Sequence, residues 1–315
     1  MDNKILNSLG QHNPQIFDDI KGLLASAGWD TRAVDEAIEI LDSLLSEDIY
    51  NTKSKIVQSR TEILKNWRYL EYWYFEGAPL SVQVALYIGL KTEILTPPPS
   101  QSDRITEFNT HFTKQLAFKT ALNTSETVGG WLFPGEPELL WEGVHQTRNI
   151  PGNLCEIGSW TGRSSIMLAS ACQHVSPNKT LHIIDDWRFG GQPDLYPYLT
   201  DNRQLKDEFE HNLAPWGDRL HIHEGVFQKV HLDLLKASPS GLSMIFHDAG
   251  HTPEDFERDL PIIAALLNRG GLLFVHDYIS KNFKPGHEVI DRWVANNPEF
   301  TIEKVVGSCA QIKKS

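Results

Sequence analysis

The chain is poor in cysteine and in positive charge, and it contains no long apolar run. Of 315 residues only three are cysteine, Cys155, Cys172 and Cys309. An odd number at wide spacing makes neither a disulfide framework nor a CxxC metal pair, so a reducing, cytoplasmic setting is expected. Lys and Arg total 29 against 41 Asp and Glu, for a formal charge of −12. So acidic a chain repels polyanions, which excludes nucleic acid and anionic membrane as main partners. No stretch approaches the roughly eighteen apolar residues of a membrane span. The first residues, MDNKILNSLGQHNPQ, lack the apolar core of about seven residues that marks a signal peptide. What is there is an ordinary globular composition, 40% hydrophobic and 22% charged, in a chain long enough for two domains.

The first part, residues 1–97, reads as a helical domain. PQIFDDIKGLLASAG and TRAVDEAIEILDSLL place Ile16, Ile20, Leu23 and Leu24, then Val34, Ile38, Leu41 and Leu45, at helical spacing. Gly28 is a stop for the first helix, and Asp30-Thr31 a cap for the second. A third run ends in Trp67, Tyr69, Tyr72, Trp73, Tyr74 and Phe75, read as core filling between helices, with a substrate lid or an oligomer contact as the alternative. Three successive prolines in TPPPSQSDR open a linker and bridging helix, residues 98–125. From 126 to 315 short apolar runs alternate with helical ones: NLCEIG, TLHIIDD, RLHIHEG, LSMIFHDA and GLLFVHD are the strands. That alternation predicts an α/β fold, a doubly wound and mostly parallel sheet with right-handed crossovers. Gly270-Gly271 is expected to stop the helix before the last parallel strand. FTIEKVVG and CAQIKK, nearly contiguous, predict a terminal antiparallel hairpin, the sixth and seventh strands.

Strand one runs into Glu156-Ile157-Gly158-Ser159-Trp160-Thr161-Gly162, directly before a helix. Glycines there let backbone approach a ligand, and the helix start offers free N–H groups. Dinucleotide folds use GxGxxG against a pyrophosphate. Here the pattern is ExGxxxG, and its carboxylate suits an ammonium or sulfonium ligand rather than a diphosphate. The second strand ends in Asp185-Asp186-Trp187, where an acid can accept from two ribose hydroxyls and Trp187 can stack on a base. Two further strand ends, His247-Asp248-Ala249-Gly250-His251 and His276-Asp277-Tyr278, open on the same crevice.

Residues 126–315 resemble the class I S-adenosylmethionine-dependent methyltransferases. The stretches CEIGSWTGRSS, IIDDW, MIFHDAGHTPEDFERDL and NRGGLLFVHDY are similar to the branch with the macrocin and mycinamicin sugar O-methyltransferases, and GGWLFPGEPELLWEG to its lead-in helix. Residues 1–97 match no family we can name. The resemblance implies a seven-stranded sheet and S-adenosylmethionine as cofactor, held by Glu156, Gly158, Ser159, Gly162, Asp185, Asp186 and Trp187. It also implies a divalent metal, Mg²⁺ or Mn²⁺, on Asp248 and Asp277, with His251 as general base beside Asp248. His276 stands where the sugar enzymes carry an acid, and is expected as the third metal ligand, or else to point away and leave that position to water. The implied activity is methyl transfer to a hydroxyl of a small molecule, a sugar or natural-product intermediate, by a homo-oligomer.

Competing readings are a metal-independent O- or N-methyltransferase and a non-catalytic pathway scaffold. His182, His221 and His223 are read as packing positions. His247 points away from Asp248 on a regular strand and is read as a hydrogen-bonded core residue. Glu254, Asp255, Glu257 and Asp259 read as a solvated helix face, and the cysteines as small buried hydrophobes.

Overall fold

Helix-period segments and strand-period segments fall into two compact units, Met1–Thr120 and Ala121–Ser315. The computed structural model describes residues 15–45, 55–65, 78–96, 102–188, 202–279 and 286–315. The aromatic run from Trp67 to Phe75 lies outside them.

In the first unit, α1 (Ile16–Ser26), α2 (Arg32–Leu45), α3 (Lys55–Lys65) and α4 (Leu80–Lys91) are joined by most of α5 (Ser102–Glu126). Their apolar stripes meet in one core that includes Leu24, Val34, Ile40, Leu41, Ile88 and Phe112. Gly28, with φ 68°, sits just past α1, and the Asp30 carboxylate accepts from Arg32 N–H at 2.9 Å where α2 begins. The helix expected over 98–125 is α5, and the division between the units falls inside it.

The second unit opens with α6 (Glu136–Gln146). It continues through β1 (Asn153–Ile157), α7 (Arg163–Val175), β2 (Leu181–Asp185), α8 (Asn202–Leu213), β3 (Leu220–Glu224) and α9 (Phe227–Ala237). Then come β4 (Leu242–His247), α10 (Pro253–Leu266), β5 (Leu267–Val275), α11 (Gly286–Asn296), β6 (Phe300–Val306) and β7 (Cys309–Lys314). The seven strands are ordered β3-β2-β1-β4-β5-β7-β6. Five are parallel, and β7 runs antiparallel to both β5 and β6, as expected for the hairpin. Cys155, Ile157, Ile245, Leu273 and Val275 fill a core beneath α10, while Glu156 points to the opposite face.

Gly270 takes φ 80°, but not as a helix stop. α10 passes straight into β5 through an extended Leu267, and Gly270 lies where the register against β4 slips from Leu242↔Leu267 to Met244↔Leu272. A strand bulge, not a C-cap, uses that conformation. Among the described residues no helix is long and apolar enough to cross a membrane.

Candidate active site

The ends of β1, β2, β4 and β5, with the segment preceding α6, line a cavity of about 660 Å³. It lies at the C-terminal edge of a parallel sheet, where this topology seats ligands. Four non-glycine residues among those described take positive φ; Trp160 (50°) and Asp277 (55°) line the cavity, and Trp187 (42°) lies just past the end of β2. Backbone held in that region gathers at functional sites because the surroundings must enforce it.

The turn after β1 is shaped by contact with β4. Gly158 has φ 87°, and any Cβ there would collide with the Asp248 carbonyl. Gly162, at φ 98°, starts α7. The Asp185 carboxylate organises the same turn from β2. Its Oδ2 accepts from the N–H groups of Ser159 (2.6 Å) and Trp160 (2.9 Å), and its Oδ1 from Trp187 N–H at 2.6 Å. Burial raises the Asp185 carboxyl above its ordinary value, although those N–H groups pull it down. Gly158, Ser159, Trp160 and Asp185 all line the cavity. Arg163 does too, and its guanidinium donates to the Gly130 carbonyl at 3.0 Å, pinning the segment before α6 against α7.

Three residues expected on the cofactor stand elsewhere. Glu156 is fully enclosed and is not on the cavity wall. Its carboxylate accepts from Ser164 Oγ at 2.5 Å and from Ser165 Oγ, and burial pushes its pKa up to about 8. It fastens β1 to the first turn of α7, because the pleat directs its side chain from the sheet face onto Ser164 and Ser165 rather than along the strand into the crevice. Trp187 is 2% exposed, packs on Phe209 with ring centroids 5.2 Å apart, and donates its indole N–H to Trp160 O at 3.0 Å. No face of it is open to a base. Asp186 turns outward and pairs with Arg188, so Arg188 and not Asp186 reaches the cavity.

The opposite wall carries the acid–base groups. Asp248, His251 and Asp277 have candidate ligand atoms within 4.8 Å of one another. His251 Nδ1 lies 3.5 Å from Asp277 Oδ2, and both side chains are partly exposed. His276, 3% exposed, sits behind them. Its Nδ1 is 3.0 Å from Asp248 Oδ1 and 3.6 Å from Asp277 Oδ2, and its Nε2 is 3.1 Å from Glu136 Oε2. Burial alone would lower the His276 pKa, but Asp248, Asp277 and Glu136 outweigh it and push it up to about 12. Burial likewise works to raise Asp277, yet His276 holds that carboxyl below its ordinary value. His276 Nδ1 is buried and makes no well-aligned hydrogen bond, and the group whose ligand atoms converge is Asp248, His251 and Asp277, without the expected His276.

Glu136 was not legible as a site residue. It is 1% exposed in the first turn of α6. Besides His276 it accepts from Phe133 N–H (2.7 Å), Ser308 N–H (2.7 Å) and Ser308 Oγ (3.0 Å). Trp131 and Phe133, in the same GGWLF segment, were also missed; two aromatics at alternate positions before a helix were the available signal. His247 is a core residue as expected, with Nε2 3.1 Å from Asp259 Oδ2. That partner overturns the solvated-face reading for Asp259, which is buried, whereas Asp255 closes a capping box with Thr252. His182 and His223 are buried and joined ring to ring at 3.0 Å.

A family model described as a methyltransferase domain matches residues 155–278. That match runs from within β1 to just past β5, inside the second unit. Solved structures of similar fold include the O-methyltransferase NovP, at 18% identity, covering 57% of this chain and 79% of that one with a TM-score of 0.44. The O-methyltransferase TomG from Streptomyces achromogenes is 18% identical, covering 63% and 89%, with a TM-score of 0.46. An O-methyltransferase from Bacillus cereus is 16% identical, covering 71% and 96%, with a TM-score of 0.45. No curated protein matches the sequence.

Proposed function

We propose that this chain transfers a methyl group from S-adenosylmethionine to a hydroxyl of a small organic acceptor, with His251 as general base. The observation that carries this reading is the convergence of His251, Asp248 and Asp277 across the cavity from the glycine turn that Asp185 organises. The cofactor supplies an electrophilic methyl on a positively charged sulfur. Such a ligand fits a cavity whose floor carries Asp185, Asp248 and Asp277. Gly158, Ser159 and Asp185 are its seat, and Asp248 borders both halves. His251 takes the hydroxyl proton, and Asp277 faces the imidazolium that results. His276, fixed by Glu136, keeps Asp248 and Asp277 paired from behind. Three buried thiols support a reducing, cytoplasmic setting.

Replacing His251 with Ala tests the assignment. We expect kcat to fall about 10²–10⁴-fold while the affinity for S-adenosylhomocysteine holds. Unchanged kcat would remove His251 from the mechanism.

A second reading adds a divalent metal such as Mg²⁺ or Mn²⁺, favoured by the donor cluster of Asp248, His251 and Asp277. Those three would hold it, and it would supply acidity to a bound hydroxyl. Manganese titration followed by electron paramagnetic resonance, beside an Asp277→Asn control, separates the two readings. Binding lost in the variant supports the metal, and no binding in the parent excludes it.

A further inference from the structure

Three histidines gather at one edge of the sheet, outside the lining of the cavity. His182 on β2 is paired in register with His221 on β3, and His223 follows two residues on. The pleat therefore turns all three side chains to one face. β3 is the outermost strand. His182 and His223 are buried, whereas His221 is exposed, so the packing role expected of His221 does not hold.

The ring centres lie 4.6 Å apart for His221 and His223, with planes at 17°, and 5.3 Å from His182 to each. Two imidazoles on one metal, at about 2.0–2.1 Å per metal–nitrogen bond, hold their ring centres about 4.5 Å apart at a right angle and about 5.2 Å at the tetrahedral angle. The His221–His223 separation meets the smaller figure.

Hydrogen bonding leaves the same two rings open. His182 Nδ1 lies 3.0 Å from His223 Nε2, and the other His182 nitrogen meets the Asn153 amide at 3.1 Å. Among the described residues, His223 Nδ1 and both His221 nitrogens have no hydrogen-bond partner. Burial lowers the His182 pKa to about 4 and lowers that of His223 as well. Both rings are thus neutral at pH 7, the state in which an imidazole binds a metal.

We propose that His221 and His223 chelate a divalent ion of the nickel–copper–zinc group at the sheet edge, with His182 as the positioning residue that orients His223. An H-x-H pair on a strand suits a chelate because residues i and i+2 share a face. Imidazole nitrogens select these ions, whereas Mg²⁺ and Ca²⁺ take oxygen. The ion sits on His223 Nδ1 and on a His221 nitrogen brought to it by rotation of that exposed ring, with water at its other positions. His223 Nε2–H then donates to His182 Nδ1, a contact of the kind that fixes a ligand's tautomer. His182 carries its own proton on Nε2, and the Asn153 amide turns its oxygen there. That releases the Thr180 N–H, which Asn153 accepts at 3.2 Å and which water can take, since Thr180 is partly exposed. The chelate is separate from the cluster of Asp248, His251 and Asp277 and does not depend on the methyl-transfer reading.

The test uses the untagged full chain in a His251→Ala background, which takes the imidazole out of the cavity's donor cluster. Zn²⁺ is titrated by calorimetry, and Cu²⁺ is followed by electron paramagnetic resonance, whose superhyperfine splitting counts bound nitrogens. We expect a single zinc equivalent and two nitrogens on copper. His221→Ala, at an exposed position, should weaken zinc by about tenfold or more and leave one nitrogen. His182→Phe should weaken zinc about 10–100-fold while both nitrogens remain. His182→Asn, whose side-chain oxygen can accept the same N–H, should restore most of that affinity. Zinc affinity unchanged by His221→Ala overturns the chelate, as does a single nitrogen on copper in the background protein. So does an absence of zinc binding at about 1 mM. Unchanged affinity in His182→Phe overturns the positioning role.

Discussion

Glu136 Oε2 and His276 Nε2 lie 3.1 Å apart, joining residues separated by 140 positions in a pair almost sealed from solvent. The other Glu136 oxygen receives the Ser308 N–H at 2.7 Å, in the turn between β6 and β7. A Cβ at Gly307 would stand 2.5 Å from that oxygen, so the turn accepts the carboxylate only with glycine there. One side chain thus ties the start of α6, the end of β5 and the terminal hairpin together.

Glu136→Gln should therefore destabilise the protein by about 3 kcal/mol, the usual consequence of breaking a buried ion pair from one side. The amide has one acceptor oxygen where the carboxylate has two, so either His276 or Ser308 faces an N–H instead. Urea denaturation at pH 7 measures it; a loss under about 1 kcal/mol contradicts the pairing.

Gly158→Ala should abolish S-adenosylhomocysteine binding and weaken folding by about 2 kcal/mol or more. The position has φ 87°, and the added methyl meets the Asp248 carbonyl. Calorimetric titration of the variant checks this, and parent-like affinity refutes the close approach of β1 to β4.

Trp187→Ala tests the corrected role of that indole. As a 2% exposed ring packed on Phe209, it should contribute about 3–5 kcal/mol of stability. Trp187→Phe should keep most of the cofactor affinity, because the ring supports the turn and does not touch a base. A Phe variant that folds normally but loses S-adenosylhomocysteine would restore the stacking role.

The histidine pair on β2 and β3 predicts an acid-labile fold. Burial, then His223 and His221, lower the His182 pKa to about 4, and burial also lowers His223. The amide of Asn153 donates to His182 Nε2 at 3.1 Å, so the native ring is held neutral. A depressed folded-state value means that the unfolded chain binds the proton first. Stability from His182 is therefore complete above about pH 6.5 and is lost as pH falls toward about 4, by roughly 3 kcal/mol. Thermal melts from pH 7 to 4, parent against His182→Phe, should show a shallower decline in the variant. Parallel curves would exclude the effect.

Much of the architecture was readable from local patterns. Apolar strand runs alternating with helix-period segments report burial on both faces of a sheet, and seven strands with a terminal hairpin are what the structure contains. Asp248 and His251 were singled out through the family resemblance, and both line the cavity. Gly158 was legible because only glycine fits that turn.

Hydrophobic period by itself determined which segments are strands and which are helices, since that follows from local burial, whereas the pairing of β1 with β4 joins residues far apart in the chain. Which carboxylates face the crevice was decided in three dimensions. Strand pleat turned Glu156 inward, Phe209 covered Trp187, and Glu136 reached His276 and Ser308 across 140 and 172 residues. Local sequence encodes backbone conformation, whereas the pairing of buried charges depends on partners brought together only when the whole unit packs.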